Sequence, residues 1–496
     1  MKAIPSRLFR AEQVREFDRR AIEDQGIPGY ELMTRAGRAA WHLASEMFPS
    51  ARRWLVVCGA GNNAGDGYVV ARLAQAAGRH PVVRWLKDPE SLCGDAHTAW
   101  AAYRDAGGEA AAWDGASVPD RCDLIVDALL GTGLDRPVSG PWADAVAAVN
   151  DAGRPVVALD VPSGLNADTG AEMGAAVRAD LTVTFVGMKL GLLTGRGPAL
   201  CGRVRFAGLA IPPAALAMEP AAHRLREDAL NRVLPKRVRD GHKGRYGHAL
   251  VVGGGEGMGG APRLAAEAAL RSGAGLVSVA TVPEHVAPLL ASCPEVMTRG
   301  VSNGGDLDPM LKRATLVALG PGLGQTDWSR KMFTRALASG RPLVLDADGL
   351  NLLADNPLRR DDWVLTPHPG EAARLLGATV GEVEADRPGA VRALQDRYGG
   401  VVILKGAGTL VCDGEGPLSL CDRGNPGMAT AGMGDVLTGI VAGLAVQSGR
   451  LAEAAAFGVL VHALAGDRAA ADAERGLMAR DLIGMLRSVV NPAAGD

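Results

Sequence analysis

Residues 424–439, GNPGMATAGMGDVLTG, place a carboxylate after a glycine-rich loop, at the start of an apolar stretch of helical character. Backbone N–H groups at a helix start form a cradle for an anion, and the helix dipole favours negative charge there. An Asp at this position is often a simple N-cap, but a cap needs no glycines before it. A carboxylate that faces a phosphate cradle can deprotonate a hydroxyl attacking phosphorus. Asp435 is therefore predicted to be a catalytic base beside a phosphate site.

Other glycine-rich segments in the same half also follow predicted strands. In KGAGT (405–409) the glycines let backbone pass close to a flat ligand, and Lys405 supplies positive charge near phosphates. A tight hairpin with a solvated lysine is the alternative. His368 lies between two prolines and is a weaker signal, because a lone loop histidine is more often structural. The remaining segments of this group are GPGLG (320–324), DADGLN (346–351) and TPHPGE (366–371).

The first half of the chain has its own set of polar strand ends. GAGNNAGDG (59–67) follows a strand but is neither a P-loop nor a dinucleotide fingerprint. DALLGTGLDRP (127–137) and VALDVPSGLNADTG (157–170) repeat the arrangement, with Asp127 and Asp160 at strand ends. One such Asp is usually a turn former, but polar ends of several parallel strands converge on one edge of the sheet. A second site is predicted there.

Three residues of this second set could hold a cation. Asn63, Asp127 and Ser163 offer oxygen ligands with a single carboxylate. Hard cations prefer oxygen, and Ca²⁺ usually takes several carboxylates, so this charge count favours K⁺. A hydrogen-bond network with water is the alternative, and the residues leave both open.

The elements that must position these residues alternate between apolar β-branched runs and Ala-rich segments of helical character. This alternation is typical of a parallel sheet covered on both faces. Residues 11–46 are expected to be helical, and three further helices are expected near Gly434, Leu451 and Ala479. The predicted strands lie at 53–59, 81–86, 122–131, 154–164, 180–187, 248–255, 275–281, 315–320, 342–348, 362–368 and 401–406, with a hairpin at 408–412 and 417–422.

Composition limits the class of protein. A chain of 496 residues is too long for one hydrophobic core, and the Pro- and Ala-rich stretch 209–223 is interpreted as a linker. Domains are thus predicted at 1–218 and 225–496. An aromatic content of 4% and a net charge of −2 argue against nucleic acid as a partner. No apolar run is long enough to span a membrane, and seven cysteines without a CxxC pair indicate reduced thiols in the cytoplasm.

The motifs together resemble a known pair of enzyme families. HKGRYGHALVVGG, GPGLG, DADGLN, LTPHPGE, KGAGT and GNPGMATAGMGDVLTG are similar to those of the ribokinase-like, ADP/ATP-dependent NAD(P)H-hydrate dehydratases across roughly 225–490. GNNAGDG, DALLGTGL and DVPSGLNADTG resemble the NAD(P)H-hydrate epimerase domain across about 10–215. The chain as a whole resembles the bifunctional NAD(P)H-hydrate repair enzymes. The resemblance implies an α/β protein, with an N-terminal Rossmann-like three-layer α/β/α domain followed by a C-terminal ribokinase-like α/β domain.

The resemblance also implies activities, cofactors and site residues. The first domain would interconvert the R and S epimers of the hydrates NADHX and NADPHX, and the second would dehydrate the S form with ADP, giving NAD(P)H, AMP and phosphate. K⁺ at Asn63, Asp127 and Ser163, Mg²⁺ with ADP, and a homo-oligomer are expected. Asp160 would be the catalytic acid or base of epimerisation, with Lys189 a weaker candidate, and Asp435 the base of dehydration. Residues that would bind the hydrate are Asn62, Asn63, Ala64, Gly65, Asp66, Gly131, Thr132, Gly133, Leu134, Asp135, Arg136, Pro137, Asp160, Ala261, Gly322, His368 and Asp435. Those that would bind the adenine nucleotide are Lys405, Gly406, Ala407, Gly408, Thr409 and Gly434.

Two alternatives and one departure stand beside this interpretation. The second domain could be a hydroxymethyl or vitamin kinase that releases a stable phosphate ester, although the paired first domain argues against it. The first domain could be a binding or scaffolding module, although Asp160 and the cation set argue for activity. Many family members have Thr or Ser where Met433 stands. Little loss is expected, because backbone N–H groups make the cradle.

Overall fold

The computed structural model describes residues 4–115, 118–119, 121–230 and 236–491. The chain divides into two compact units, Met1–His223 and Arg224–Asp496. Within the described residues, no helix is long and apolar enough to cross a membrane.

The first unit contains a seven-stranded parallel sheet in the order β4-β3-β2-β5-β6-β7-β8. Apart from this sheet, Arg7 and Leu8 pair with His223 and Ala222 in antiparallel register. The strands are β1 (Arg7–Leu8), β2 (Arg53–Cys58), β3 (His80–Trp85), β4 (Ala110–Ala112), β5 (Leu124–Ala128), β6 (Val156–Leu159), β7 (Leu181–Phe185), β8 (Arg203–Ala207) and β9 (Ala222–Arg224).

Helices cover this sheet on both faces because alternate strand residues point to opposite sides. Trp54 and Val56 of β2 pack in one apolar cluster, while Leu55 and Val57 pack in the other. The helices of the unit are Ala11–Arg19, Gly29–Met47, Asn62–Ala76, Gly94–Asp105, Pro141–Asp151 and Gly197–Leu200, with a π-helical turn at Arg20–Asp24 and 3₁₀ turns at Pro89–Ser91, Leu190–Leu193 and Pro213–Leu216.

The second unit is also built on a largely parallel sheet. Its described strands lie in the order β18-β17-β16-β15-β14-β13-β10-β11-β12, and β17 and β18 pair antiparallel. The expected hairpin is therefore present. The strands are β10 (His248–Val252), β11 (Leu276–Thr281), β12 (Met297–Gly300), β13 (Leu316–Leu319), β14 (Leu343–Leu345), β15 (Trp363–Leu365), β16 (Val401–Leu404), β17 (Thr409–Cys412) and β18 (Leu418–Cys421).

Long apolar helices pack on this sheet. Met433–Ser448 and Leu451–Ala469 are the two longest in the described part of the unit, and their Val, Leu and Ala side chains form one core with β10, β13 and β16. The helices are Gly260–Arg271, Val286–Ser292, Gly304–Arg313, Asp327–Leu337, Asp348–Asp355, Pro369–Leu376, Val380–Ala385, Arg387–Tyr398, Met433–Ser448, Leu451–Ala469 and Ala479–Val489, with 3₁₀ turns at Glu227–Ala229, Lys243–Tyr246, Pro283–His285 and Pro426–Met428.

Two sequence expectations need correction. The helix expected over 11–46 is interrupted at 25–28, where Gly26 adopts a positive φ of 69° and Pro28 begins the next helix as its cap. The stretch 209–223, interpreted as a linker, packs on the first unit, since Leu209, Ile211 and Ala215 are buried in its core. The apolar residues of this Pro-rich segment are buried against the first unit, and composition alone does not reveal such burial.

Candidate active sites

A cleft of about 520 Å³ lies in the first unit beside the carboxyl ends of its strands. The strand order reverses between β2 and β5, and open parallel sheets bind ligands at such a reversal. Most of the predicted hydrate-binding residues line this cleft. They are Asn62, Asn63, Asp66, Gly131, Thr132, Gly133, Leu134, Asp135, Arg136 and Asp160.

Three predicted residues lie elsewhere. Among the described residues that line the cleft, Ala64, Gly65 and Pro137 are absent. A Cβ on Gly65 would lie 2.6 Å from the Met33 sulfur, so this glycine permits close helix packing. Its place in the motif reflects packing at least as much as ligand contact.

Asp160 forms a buried pair with Lys189 at the edge of the cleft. Asp160 follows β6 with a positive φ of 64°, which non-glycine residues rarely adopt. Its Oδ1 accepts hydrogen bonds from the Lys189 ammonium, from Thr184 Oγ1 at 3.1 Å and from Phe185 N at 3.0 Å. Lys189 is only 1% exposed and also donates to the Phe185 carbonyl at 2.8 Å. The bonds hold one oxygen of Asp160 in place beside the cleft.

Two further carboxyl groups line the same cleft. Burial raises the pKa of Asp18 to about 6, with Asp160 adding to the rise and Lys189 opposing it. Burial, followed by the charges of Asp160 and Asp18, raises the pKa of Asp66 well above its usual range. Both groups therefore keep their protons to a higher pH than an exposed carboxyl does.

The three predicted cation ligands meet around Leu130. Asn63 Nδ2 donates to the Leu130 carbonyl at 3.1 Å, and the Leu130 N–H donates to Ser163 Oγ at 2.8 Å. Ser163 Oγ in turn donates to Asp127 Oδ1 at 2.6 Å. Burial raises the pKa of Asp127 to about 6, although hydrogen bonds from Ser163 oppose the rise. Asn63 Oδ1 is buried without a hydrogen-bond partner, so this corner has an oxygen that a cation or water can satisfy.

The helix Met433–Ser448 of the second unit begins with free amides. Gly432 precedes it with a positive φ of 88°, and the first intrahelical bond runs from Val436 N to the Gly432 carbonyl at 3.0 Å. The N–H groups of Met433, Gly434 and Asp435 come before that bond, so they remain available to an anion. Asp435 stands in this first turn, as predicted.

An ion pair between Lys405 and the buried Asp346 lies next to the helix start. Lys405 Nζ donates to Asp346 Oδ1 at 2.8 Å and lies 3.7 Å from a carboxylate oxygen of Glu371. Thr366 donates to Asp346 Oδ1 at 2.7 Å, and Thr438 donates to its Oδ2 at 2.8 Å. Burial alone would raise the pKa of Asp346, but the Lys405 ammonium and these hydrogen bonds outweigh it and lower the pKa. Asp346 therefore stays ionised and holds Lys405.

This pair acts on Asp435 through space. Burial raises the pKa of Asp435 to about 7; the Asp346 charge adds to the rise and Lys405 opposes it. A Cβ on Gly434 would lie 3.5 Å from Lys405 Nζ and 3.6 Å from Asp346 Oδ2. Glycine thus leaves the space between the helix start and the ion pair open. A carboxyl with a pKa near neutrality is well suited to accept a proton during catalysis.

Arg387 holds the backbone at the start of the predicted nucleotide loop 405–409. This guanidinium is 1% exposed and donates to the carbonyls of Leu404 and Lys405 at 3.3 and 3.1 Å. A Cβ on Gly406 would lie 2.9 Å from it. Thr409 Oγ1 closes the turn by donating to the Gly406 carbonyl at 2.9 Å. Lys405 to Thr409, including Ala407 and Gly408, thus form a loop with a fixed path.

The other predicted residues of this unit are placed as follows. Gly322, with a positive φ of 56°, lies against Ala261, whose Cβ would be 3.0 Å from a Cβ on Gly322. His368 caps the helix Pro369–Leu376, since its Nδ1 accepts from Gly370 N at 3.0 Å. Its side chain is 57% exposed, and its Nε2 lies 3.5 Å from Glu371 Oε1.

Comparison with known proteins identifies the family. The sequence profile described as the YjeF-related protein N-terminus matches residues 29–191, and that of NAD(P)H-hydrate dehydratase matches 249–487. The chain is 48% identical to the bifunctional NAD(P)H-hydrate repair enzyme Nnr of Coxiella burnetii over 98% of this chain and 99% of that protein. It is 43% identical to the Escherichia coli enzyme of the same name over 100% of this chain and 96% of that protein. The chain belongs to the bifunctional NAD(P)H-hydrate repair enzymes.

A solved structure agrees with the fold expected for the second unit. A ribokinase-like superfamily protein from Enterococcus faecalis is 29% identical, with a TM-score of 0.52, and the match covers 55% of this chain and 96% of that one. The resemblance drawn from the motifs and the expected α/β folds are confirmed. The family matched by the second unit is a dehydratase family, which removes the basis for the vitamin-kinase alternative.

Met433, where the sequence departs from the motif resemblance, begins the helix Met433–Ser448. The Met433 side chain is 5% exposed and packs in the core. Its carbonyl lies 3.0 Å from His462 Nε2, and burial lowers the pKa of His462 to about 4, so the neutral ring can donate this bond. The helix start is thus held by a main-chain contact that does not depend on a hydroxyl at position 433.

Several residues of the two sites were missed by the sequence interpretation. Asp18 and Arg387 lie in charged helical segments without a motif. Glu371 and Asp346 fall inside quoted motifs, but only the structure shows that both approach Lys405. The available signal was a carboxylate directly after a strand, as at Asp346.

Proposed function

We propose that the chain repairs hydrated NADH and NADPH in two steps. The first unit interconverts the R and S epimers of the hydrate. The second dehydrates the S epimer with ADP, yielding NAD(P)H, AMP and phosphate. The observation that carries the proposal is the presence, in one chain, of both matched families over nearly the whole length of its relatives.

The chemistry proposed for the second unit follows from the helix start. A hydroxyl at C6 of the hydrated ring is a poor leaving group. Asp435 takes the proton of this hydroxyl while the hydroxyl oxygen attacks the β-phosphorus of ADP, and AMP departs. The ring nitrogen lone pair then expels phosphate from C6, and loss of a proton from the ring gives the reduced nicotinamide. The amides of Met433 and Gly434 and the ammonium of Lys405, which lies next to the helix start, would stabilise the transferred phosphoryl group.

A magnesium ion fits this scheme if the nucleotide supplies most of its ligands. Among the described residues, no cluster of three or more His, Cys, Asp or Glu side chains is arranged to hold a metal. Mg²⁺ is commonly bound through substrate phosphates and one or two carboxylates. Asp435 and Asp346 are the nearby carboxylates, and the ion would neutralise phosphate charge.

The chemistry proposed for the first unit rests on Asp160. Its carboxylate lines the cleft and is held by Lys189, so it can exchange a proton with the hydroxyl at C6. We further propose K⁺ at Asn63, Asp127 and Ser163. Support comes from the buried, unpartnered Asn63 Oδ1 next to the Leu130 carbonyl. A monovalent ion there would offset the negative charge of the substrate phosphates.

The cytoplasm is the proposed location, and a homo-oligomer remains an expectation. All seven cysteines are free thiols in the structure, which suits a reducing compartment.

The test uses the purified full chain with an R and S mixture of NADHX, ADP and Mg²⁺. The near-ultraviolet absorbance of reduced nicotinamide should recover completely, with AMP and phosphate formed in equal amounts. Omitting ADP should abolish recovery. A stable phosphate ester without recovered NADH would contradict the proposal, and recovery of only the S fraction would contradict the epimerase assignment. Replacing ADP by ATP tests the donor.

A further inference from the structure

The helix Ala11–Arg19 brings to the epimerase cleft a carboxyl group that the sequence motifs do not contain. Asp18 lines the cleft together with Asp66, Asp160 and Lys189. The influences on its carboxyl are burial and the charges of Asp160 and Lys189, with no hydrogen bond among the described residues. An unbonded carboxyl in a ligand cleft is available to a bound molecule.

Main-chain hydrogen bonds tie the start of this helix to the segment that carries Lys189. Phe9 N donates to the Met188 carbonyl at 2.8 Å, and Leu190 N donates to the Phe9 carbonyl at 3.0 Å. These two bonds bracket Lys189. The residues just before the helix are therefore fixed relative to the Asp160–Lys189 pair.

Close packing completes the placement. A Cβ on Gly187 would lie 2.8 Å from Val14 Cγ2, so glycine lets the helix approach the Lys189 segment closely. Directly after Asp18 the chain turns through the π-helical segment Arg20–Asp24, and Ile22 of that turn also lines the cleft. Single π-helical turns are often found at functional sites.

The charged groups facing this cleft come from several elements. Arg15 lies on the same helix as Asp18, and Asp66 lies on the helix Asn62–Ala76. Asp160 follows β6, and Lys189 follows β7. More distant members of the lining are Asp95, Asp135 and Arg136. Burial raises the pKa of Asp18 to about 6 and that of Asp66 well above its usual range, whereas Asp160 is engaged by an ammonium.

We propose that Asp18 is a second catalytic residue of epimerisation, the proton donor that works with Asp160 as proton acceptor. This inference rests on the proposed function of the first unit. Asp160 takes the proton from the C6 hydroxyl, a C6=O double bond forms, and the C6–N1 bond breaks. The electron pair of that bond goes to N1, which takes the proton from Asp18. Rotation about C5–C6 presents the other carbonyl face, and the same transfers in reverse close the ring as the opposite epimer.

Ring opening suits this cleft better than loss of water. Loss of the hydroxyl would be the first step of dehydration, a reaction that the second unit performs at the expense of ADP. Opening the ring keeps the oxygen on carbon and needs one acid and one base, which the cleft contains. Asp18 is the better acid, because a donor whose pKa lies near neutrality regains its proton readily. Asp66, whose pKa is raised by burial and by the nearby carboxylates, is suited to donate a hydrogen bond to the substrate.

The test compares Asp18→Asn with Glu12→Gln, which alters an exposed carboxylate on the same helix. Exchange between R- and S-NADHX is followed by chromatography without ADP. Asp18→Asn should lower kcat for exchange ~10²–10⁴-fold, as loss of a general acid does, with KM nearly unchanged. Glu12→Gln should behave as the native chain, and both variants should dehydrate S-NADHX at the native rate.

The pH profile separates a proton donor from a structural residue. Native kcat for exchange should fall as pH rises through the pKa of Asp18, because the donor loses its proton. The residual rate of Asp18→Asn should lack that fall. Near-native exchange by Asp18→Asn, a fall that persists in the variant, or a native rate that does not decline with rising pH would each overturn the proposal. Failure of the native chain to exchange the epimers would instead refute the proposed epimerase function.

Discussion

Asp435→Asn should both stabilise the second unit and abolish dehydration. In the folded protein, burial raises the pKa of Asp435 from 3.8 to about 7. Below about pH 4 both the folded and the unfolded states hold the proton, so ionisation does not affect stability. Between these two pKa values the unfolded state releases its proton first, and the free energy of unfolding falls as pH rises. Above about pH 7 the loss is complete.

The size of the effect follows from the difference between the two pKa values. About three pH units at ~1.4 kcal/mol each give an upper limit of ~4 kcal/mol. Because Asp435 is partly open to solvent, we expect ~2 kcal/mol. Asparagine has no charge to bury. The Asn variant should therefore unfold ~4–8 °C above the native protein at about pH 8, and the difference should shrink to zero towards about pH 4.

The assay is calorimetry of the full chain at several pH values, combined with dehydration rates for S-NADHX. Dehydration by Asp435→Asn should fall ~10²–10⁴-fold while ADP still binds. Asp472→Asn, which alters an exposed carboxylate of the same unit, is the control and should change neither property. A variant less stable than the native chain at about pH 8 would refute the electrostatic reasoning. Near-native dehydration would remove Asp435 from the role of base.

Three further predictions concern single carboxylates. Asp346→Asn should move the midpoint of the rising pH–rate profile of dehydration to lower pH, because the Asp346 charge raises the pKa of Asp435; an unchanged midpoint would contradict this. Asp160→Ala should leave dehydration of S-NADHX intact, so that a mixed substrate stalls once S is consumed; rapid, complete consumption would place epimerisation elsewhere. Asp127→Ala should weaken K⁺ and hydrate binding, measured by calorimetric titration, without affecting ADP binding; equal epimerase activity in Na⁺ and K⁺ buffers would contradict the cation.

The polar strand ends were predictable because parallel topology brings them to one edge. Asn63, Asp127 and Ser163 lie far apart in sequence, yet they meet around Leu130. The glycine before Asp435 likewise predicted a helix start that is open to an anion. In each case a local signal and one rule about parallel sheets sufficed.

The missed residues depend on the orientation of helices. Asp18 stands among Arg15, Glu16, Arg19 and Arg20, so its segment looks like an ordinary solvated helix surface. The main-chain hydrogen bonds of Phe9 with Met188 and Leu190, one on each side of Lys189, fix the start of the helix. Asp18 faces the cleft because the helix is held in this orientation. Periodicity does not specify such a long-range contact.

The missed strands have a different cause. Ala110–Ala112, Arg203–Ala207 and Met297–Gly300 are short, and they contain few β-branched residues. Strand propensity largely reflects burial on a pleated surface. β4 and β12 lie at sheet edges, where one side has no neighbour, so their sequences carry little of the usual apolar pattern.

The two sites use the same physical arrangement for opposite purposes. In each, an aspartate pairs with a lysine and one partner is buried: Lys189 in the pair with Asp160, and Asp346 in the pair with Lys405. In each, burial beside that aspartate raises the pKa of a further carboxyl. The proposed role of the carboxyl with the raised pKa then differs between the two sites.

Dehydration, as proposed, needs the Asp435 carboxylate, which is the form favoured above about pH 7. Epimerisation, as proposed, needs Asp18 with its proton, the form favoured below about pH 6. Two units with separate carboxyls let both proceed near neutrality, where part of each population is in its working form. The proposed epimerisation then converts the R epimer while the S epimer is removed, which is what complete repair of a mixed hydrate requires.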